Sequence, residues 1–174
     1  MHDDLADLYQ QVILDHSKSP RNFGKLPEAN RTAQGHNPLC GDNYTIYAVM
    51  EGEVIREIRF QGSGCAISKA SASLLTESVK GKDRAAVKAL FDKVHDLVTT
   101  GKTSDGGLGK LAVFAGVHKF PARVKCAILP WHAVVAAIEG KAEPVTTESD
   151  GAEAKPELKD PKTLKEGSSN VQER

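Results

Sequence analysis

Three cysteines and an aspartate are the residues of this chain best suited to reactive chemistry. Cys40 stands in Asn37-Pro38-Leu39-Cys40-Gly41-Asp42, Cys65 in Gly62-Ser63-Gly64-Cys65-Ala66-Ile67-Ser68, and Cys126 in Arg123-Val124-Lys125-Cys126. Three is an odd number, and the setting does not look secreted, so a disulfide framework is not expected. Free thiols leave three readings: small buried apolar side chains, a reactive thiol, or metal ligands.

The local settings favour chemistry. Each cysteine falls at the end of an expected element rather than in its middle. At Cys65 a strand gives way to a helix, whose unpaired N–H groups and partial positive charge stabilise a thiolate. Arg123 and Lys125 would do the same for Cys126. Asp42, two residues beyond Cys40, can offer a hard oxygen to the same place. Three thiolates and one carboxylate or imidazole would complete the tetrahedral shell that zinc prefers. There is no Cys-x-x-Cys pair, so spacing alone leaves the other readings open. Among the six histidines, His36 is the spare candidate ligand. His132 follows Cys126 by six positions, about 240° around a helix, and would be a poor one.

These residues need elements to bring them together. Leu5, Leu8, Tyr9, Val12 and Ile13 recur at helical spacing, and Ser19-Pro20 should end that helix. A weak strand pattern covers Arg31–His36. Asn43–Met50 alternates, with Tyr44, Ile46 and Ala48 on one side. Glu51-Gly52-Glu53 reads as a turn, and Val54–Gln61 returns as the second arm of an antiparallel hairpin. Such a hairpin brings Cys40 and Cys65 to the same end of the sheet. Helical periods follow from Ile67 to Gly81 and from Asp83 to about Thr100. Gly101–Gly107 reads as a loop and Leu108–Val117 as a short helix. Pro121 opens a last helix carrying Trp131, Val134, Val135 and Ile138, which Pro130 either kinks or restarts. The expected fold is α+β: a small antiparallel three-stranded sheet with helices packed on one face, plus an N-terminal helix. The domain is expected to span residues 1–140. Residues 141–174 lack aromatics and are rich in polar residues, so a disordered tail is expected there.

A length of 174 residues suits one domain, and 40% hydrophobic content suits a globular one. The 23 basic residues balance 23 acidic ones, which gives no electrostatic source for nucleic-acid or membrane-surface binding. The longest apolar runs are too short to cross a bilayer. The opening Met1-His2-Asp3-Asp4 is acidic, so no secretory signal is expected, and a cytoplasmic location is.

At four places the chain resembles the U-type iron–sulfur scaffold family, and specifically its SufU branch. The resemblance covers about residues 5–140. It rests on Tyr9-Gln10-Gln11-Val12-Ile13-Leu14-Asp15-His16 with Pro20 and Arg21, and on Asn37-Pro38-Leu39-Cys40-Gly41-Asp42. Gly64-Cys65-Ala66-Ile67-Ser68 with Ala70-Ser71-Ala72-Ser73 is the third motif, and Phe120-Pro121-Ala122-Arg123-Val124-Lys125-Cys126 the fourth. Isc-type members carry a histidine where this chain has Lys125, and SufU-like members carry an extra segment where Gly101–Gly109 falls. The resemblance implies a zinc site of Cys40, Asp42, Cys65 and Cys126, with Arg123 and Lys125 supporting it. It also implies that Cys40 accepts persulfide sulfur from a SufS-like cysteine desulfurase, as a zinc-dependent sulfurtransferase, and relays it, possible recipients including the SUF scaffold complex. The alternative is a scaffold on which a [2Fe–2S] cluster is assembled. A third reading is an adaptor whose zinc is structural.

Overall fold

The computed structural model describes residues 2–103, 106–141 and 143–147, with the side chains of His2 and Asp3 left aside. Helix α1 (His2–Lys18) leads through an irregular stretch to β1 (Arg31–Asn37), β2 (Asp42–Glu51) and β3 (Val54–Ser63). Helices α2 (Ala66–Val79) and α3 (Arg84–Thr100) follow. A run of 3-10 turns (Gly109–Lys119), helix α4 (Pro121–Ile138) and strand β4 (Val145–Thr146) complete the order.

The sheet forms because β2 alternates. Asp42, Tyr44, Ile46 and Ala48 are buried on one face, with Asn43, Thr45 and Tyr47 on the other. Both neighbours pair with it antiparallel, β1 placing Asn37 opposite Asp42 and β3 placing Ser63 opposite Asn43. The buried face packs against α4 and α2, and Trp131, Tyr44, Phe60 and Phe114 lie at the centre of the core. Helices on one face of a sheet are the expected α+β arrangement. The strand count is not. The sheet has four strands in the order β3-β2-β1-β4, and β4 runs parallel to β1. Two residues are too few to show a period, so β4 leaves no alternation to read. It lies inside the segment expected to be disordered, as does the fully buried Thr147. The remainder of that tail, residues 148–174, lies outside the described residues.

Two helical segments also sharpen the expectation. Leu108, Leu111, Phe114 and Val117 are all buried. A spacing of three stacks them in one column on a 3-10 helix, whereas α-helical turns would spread them round the axis. The short helix expected over Leu108–Val117 is therefore a 3-10 run. Pro130 lies inside one helix that continues from Pro121 to Ile138, rather than restarting it.

Candidate metal centre

Cys40 occupies the turn between β1 and β2. The Gly41 N–H donates to the Asn37 carbonyl at 2.8 Å, and Gly41 takes φ 70°, where a side chain would be strained. Among the three cysteines Cys40 is the exposed one, Cys65 is partly buried and Cys126 is buried. Asp42 opens β2 on the strand's inward face and is wholly buried. Cys65 is the N-cap of α2, its sulfur accepting the Ser68 N–H at 3.4 Å. Cys126 lies in the second turn of α4.

These four residues come from three parts of the fold and meet at one end of the sheet. The Cys126 and Cys40 sulfurs are 3.3 Å apart. Ligand atoms of Cys40, Asp42 and Cys126 all lie within 4.8 Å of one another. Cys65 stands just outside that group of three and is tied to it through its backbone, its N–H donating to Asp42 Oδ1 at 2.9 Å. Asp42 Oδ2 is buried with no hydrogen-bond partner among the described residues. A carboxylate oxygen left so costs free energy unless a cation or proton meets it. Two adjacent sulfurs, a third sulfur beside them and an unpaired carboxylate oxygen are a donor set that fits zinc.

The thiols perturb one another in opposite directions. The Cys65 thiol is pushed down to about 5, chiefly by a hydrogen bond with Cys126 and further by the Ser68 N–H and hydroxyl, against the effect of burial. Cys126 is pushed up, first by Cys65 and then by burial. Burial also raises the Tyr44 phenol, whose oxygen lies 2.9 Å from Ser68 Oγ. Gly64 keeps this floor open. A Cβ there would come within 2.5 Å of Asp42 Oδ1 and 2.6 Å of both Ser68 Oγ and Tyr44 OH.

The supporting residues divide. Arg123 Nη1 lies 3.9 Å from Cys126 Sγ, a long contact that places positive charge beside the sulfur. Lys125 instead lines a groove of about 290 Å³ with His95, Thr99 and His118. His36 is engaged elsewhere, its Nδ1 being 3.2 Å from the Asp42 backbone carbonyl. His132 packs edge-on against Phe91, ring centroids 5.1 Å apart. Reading by residue type overlooked Asn37, Tyr44 and Ser68. Period-two alternation from Asp42 could have placed Tyr44, and the helix-capping interval from Cys65 could have placed Ser68.

Comparison with known proteins gives this geometry a family. Residues 8–127 match the NifU-like N-terminal domain, and the chain belongs to that family, the one of the SufU and IscU proteins of iron–sulfur cluster assembly. It is 41% identical over 132 residues to the zinc-dependent sulfurtransferase SufU of Bacillus subtilis, covering 75% of this chain and 88% of that one. It is 38% identical over 139 residues to the iron–sulfur cluster assembly scaffold protein IscU of Streptococcus pyogenes, covering 79% and 87%. A solved structure from Fervidobacterium islandicum, of a candidate iron–sulfur cluster assembly scaffold for the SUF system, superposes with a TM-score of 0.70. That structure is 32% identical, over 74% of this chain and 94% of the other. No helix among the described residues is long and apolar enough to cross a membrane.

Proposed function

We propose that this protein accepts persulfide sulfur on Cys40 from a SUF-type cysteine desulfurase and passes it on for iron–sulfur cluster assembly. The observation that carries the reading is the unequal setting of the three sulfurs. Cys40 is exposed on a hairpin tip, while its partner sulfur 3.3 Å away is buried. An acceptor must reach a partner's persulfide, and the exposure of Cys40, greater than that of Cys65 or Cys126, supports that role. Similarity to the zinc-dependent sulfurtransferase of Bacillus subtilis points the same way.

Cys40, Asp42, Cys65 and Cys126 would hold zinc. Bound there, zinc would supply positive charge that keeps its cysteine ligands deprotonated at neutral pH. The protein's own residues do the rest. Asp42, Cys65 and Cys126 are anchored in β2, α2 and α4, so Cys40 can turn outward without dismantling the others. The Cys40 thiolate attacks the outer sulfur of the desulfurase persulfide. A sulfur–sulfur bond forms at Cys40, the donor's sulfur–sulfur bond breaks, and the desulfurase cysteine leaves as a thiolate. No net oxidation occurs. Arg123, close to Cys126 and open to solvent, draws the anionic persulfide in.

The surface around Cys40 suits a protein partner. Leu39 is 67% exposed and Phe120 62% exposed, and they sit on the segments that carry Cys40 and Cys126. Exposed apolar side chains with the exposed cations Lys119 and Arg123 on the same segment as Phe120 suit a partner surface that offers apolar pockets and acidic edges. Replacing Cys40 with serine should abolish stimulation of desulfurase turnover, and normal stimulation by that variant would overturn the acceptor role.

A second reading, assembly of a [2Fe–2S] cluster on the same four residues, is favoured by similarity to the scaffold IscU of Streptococcus pyogenes. Metal analysis of protein purified without oxygen separates the two. Zinc at one per chain supports sulfur transfer, and stoichiometric iron with sulfide supports the scaffold.

A further inference from the structure

Asn37 closes β1 immediately before the Cys40 turn, opposite Asp42 in the ladder, and is fully buried. An amide shut away from water must find partners for its polar atoms. Its Oδ1 accepts the Leu39 N–H at 3.2 Å, and its backbone carbonyl accepts the Gly41 N–H at 2.8 Å. These two bonds clasp the chain on either side of Cys40. Its Nδ2 donates toward Cys126 Sγ at 3.7 Å. The side chain's orientation is fixed by chemistry, because only the oxygen can accept from the Leu39 N–H, which leaves the NH2 to face the sulfur.

One buried side chain thus joins the turn that bears the exposed sulfur to the sulfur lying 3.3 Å from it. We propose that Asn37 is a positioning residue for sulfur transfer, locking the Cys40 turn to the Cys126 sulfur so that Cys40 swings out and returns in one register. The role rests on the reading of Cys40 as sulfur acceptor. Holding a turn needs only an acceptor, and aspartate would serve for that. Coupling the turn to Cys126 needs the donor as well, and aspartate lacks it.

Two full-chain variants separate these jobs. Asn37→Asp retains an acceptor for Leu39 and loses the donor, and Asn37→Ala loses both. Substituted with cobalt(II), both should move the sulfur-to-metal charge-transfer band to lower energy, because a hydrogen bond to a thiolate lowers its donor level. In the desulfurase assay both should lower the maximal stimulated rate by about tenfold or more while the half-saturating concentration of this protein stays within about twofold, since a misplaced reacting atom costs rate rather than docking. A merely structural asparagine would alter melting temperature and leave the band and the maximal rate of the folded variants unchanged, which overturns the proposal. Wild-type behaviour of Asn37→Asp beside an impaired Asn37→Ala also overturns it, since the donor would then play no part.

Should neither variant fold, the wild-type protein loaded with NMR-active cadmium decides. An asparagine side-chain proton scalar-coupled to the metal through sulfur supports the coupling, and no such proton overturns it. A shifted cobalt band in variants of a chain whose wild type fails to stimulate the desulfurase would refute the acceptor reading and leave Asn37's place at the metal centre standing.

Discussion

Each residue of the centre answers to a different constraint. Asp42 is aimed inward by strand alternation, and one of its oxygens is held by the Cys65 N–H while the other has no hydrogen-bond partner among the described residues. Gly64 is there because nothing larger fits over that carboxylate. Gly64→Ala should therefore destabilise the fold by about 1–3 kcal/mol, read by chemical denaturation, and should lower metal content in the purified protein. The thiols give a pH signature. With its folded pKa of about 5 below the ordinary 9.0, Cys65 contributes stability that is complete above the ordinary value and declines as pH falls toward 5. Cys126 is raised, so it withdraws stability once pH climbs past the ordinary thiol range. An absorbance titration of metal-free protein should show one thiolate appearing with a midpoint near 5. A first thiolate appearing only above pH 8 would contradict the lowering of the Cys65 thiol by Cys126. Much of this was open to a reader of the sequence. Inward Asp42 follows from the period of β2, and Cys65 at a helix start follows from the glycines before it. Asn37's bond to Cys126 was not, because no local pattern links positions so far apart.

At the level of elements, α1 is locked to α2 by a small buried network. His16 is 2% exposed, and its Nδ1 lies 2.7 Å from Ser73 Oγ, which also accepts the Arg21 N–H at 2.8 Å. Arg21 in turn pairs with Asp15 at 2.7 Å. The Asp15-His16 and Pro20-Arg21 motif thus spans the helix junction rather than the candidate metal centre. Ser73→Ala leaves the imidazole and an N–H without partners and should cost about 1–3 kcal/mol in denaturant melts, with desulfurase stimulation retained well below the melting temperature. Burial lowers the His16 pKa, so its contribution is full above the ordinary histidine pKa and is lost as pH falls from there through the lowered value. The 3-10 run teaches a different lesson. Its three-residue apolar repeat stood in the sequence, but a spacing of three also falls on one side of a short α-helix, and only the fourth repeat at Val117 separates them.

For the molecule as a whole, one sheet face carries the core and one sheet end carries the centre. The β1–β2 turn, the end of β3 with the start of α2, and the first turns of α4 reach that end from separate parts of the chain. The meeting of Cys40 with Cys65 was legible because antiparallel pairing dictates where hairpin arms return, whereas Cys126 joined them only through the family resemblance. The fourth strand was not, since its partner β1 lies more than a hundred positions earlier and its own two residues sit in polar surroundings. Val145 packs against the core from β4, and Thr147 is fully buried. A chain ending at Gly140 should consequently be about 1–2 kcal/mol less stable than one ending at Thr147, measured by thermal melting of the two. Equal melting would show that β4 adds nothing to the sheet.

The proposed function stands or falls on whether sulfur arrives at Cys40. Mass spectrometry of peptides from the protein, after incubation with desulfurase and cysteine and without reductant, reads this directly. The mass of one added sulfur atom should appear on the peptide bearing Cys40 and on no other. Added sulfur on the Cys65 or Cys126 peptide, or on none, would contradict it.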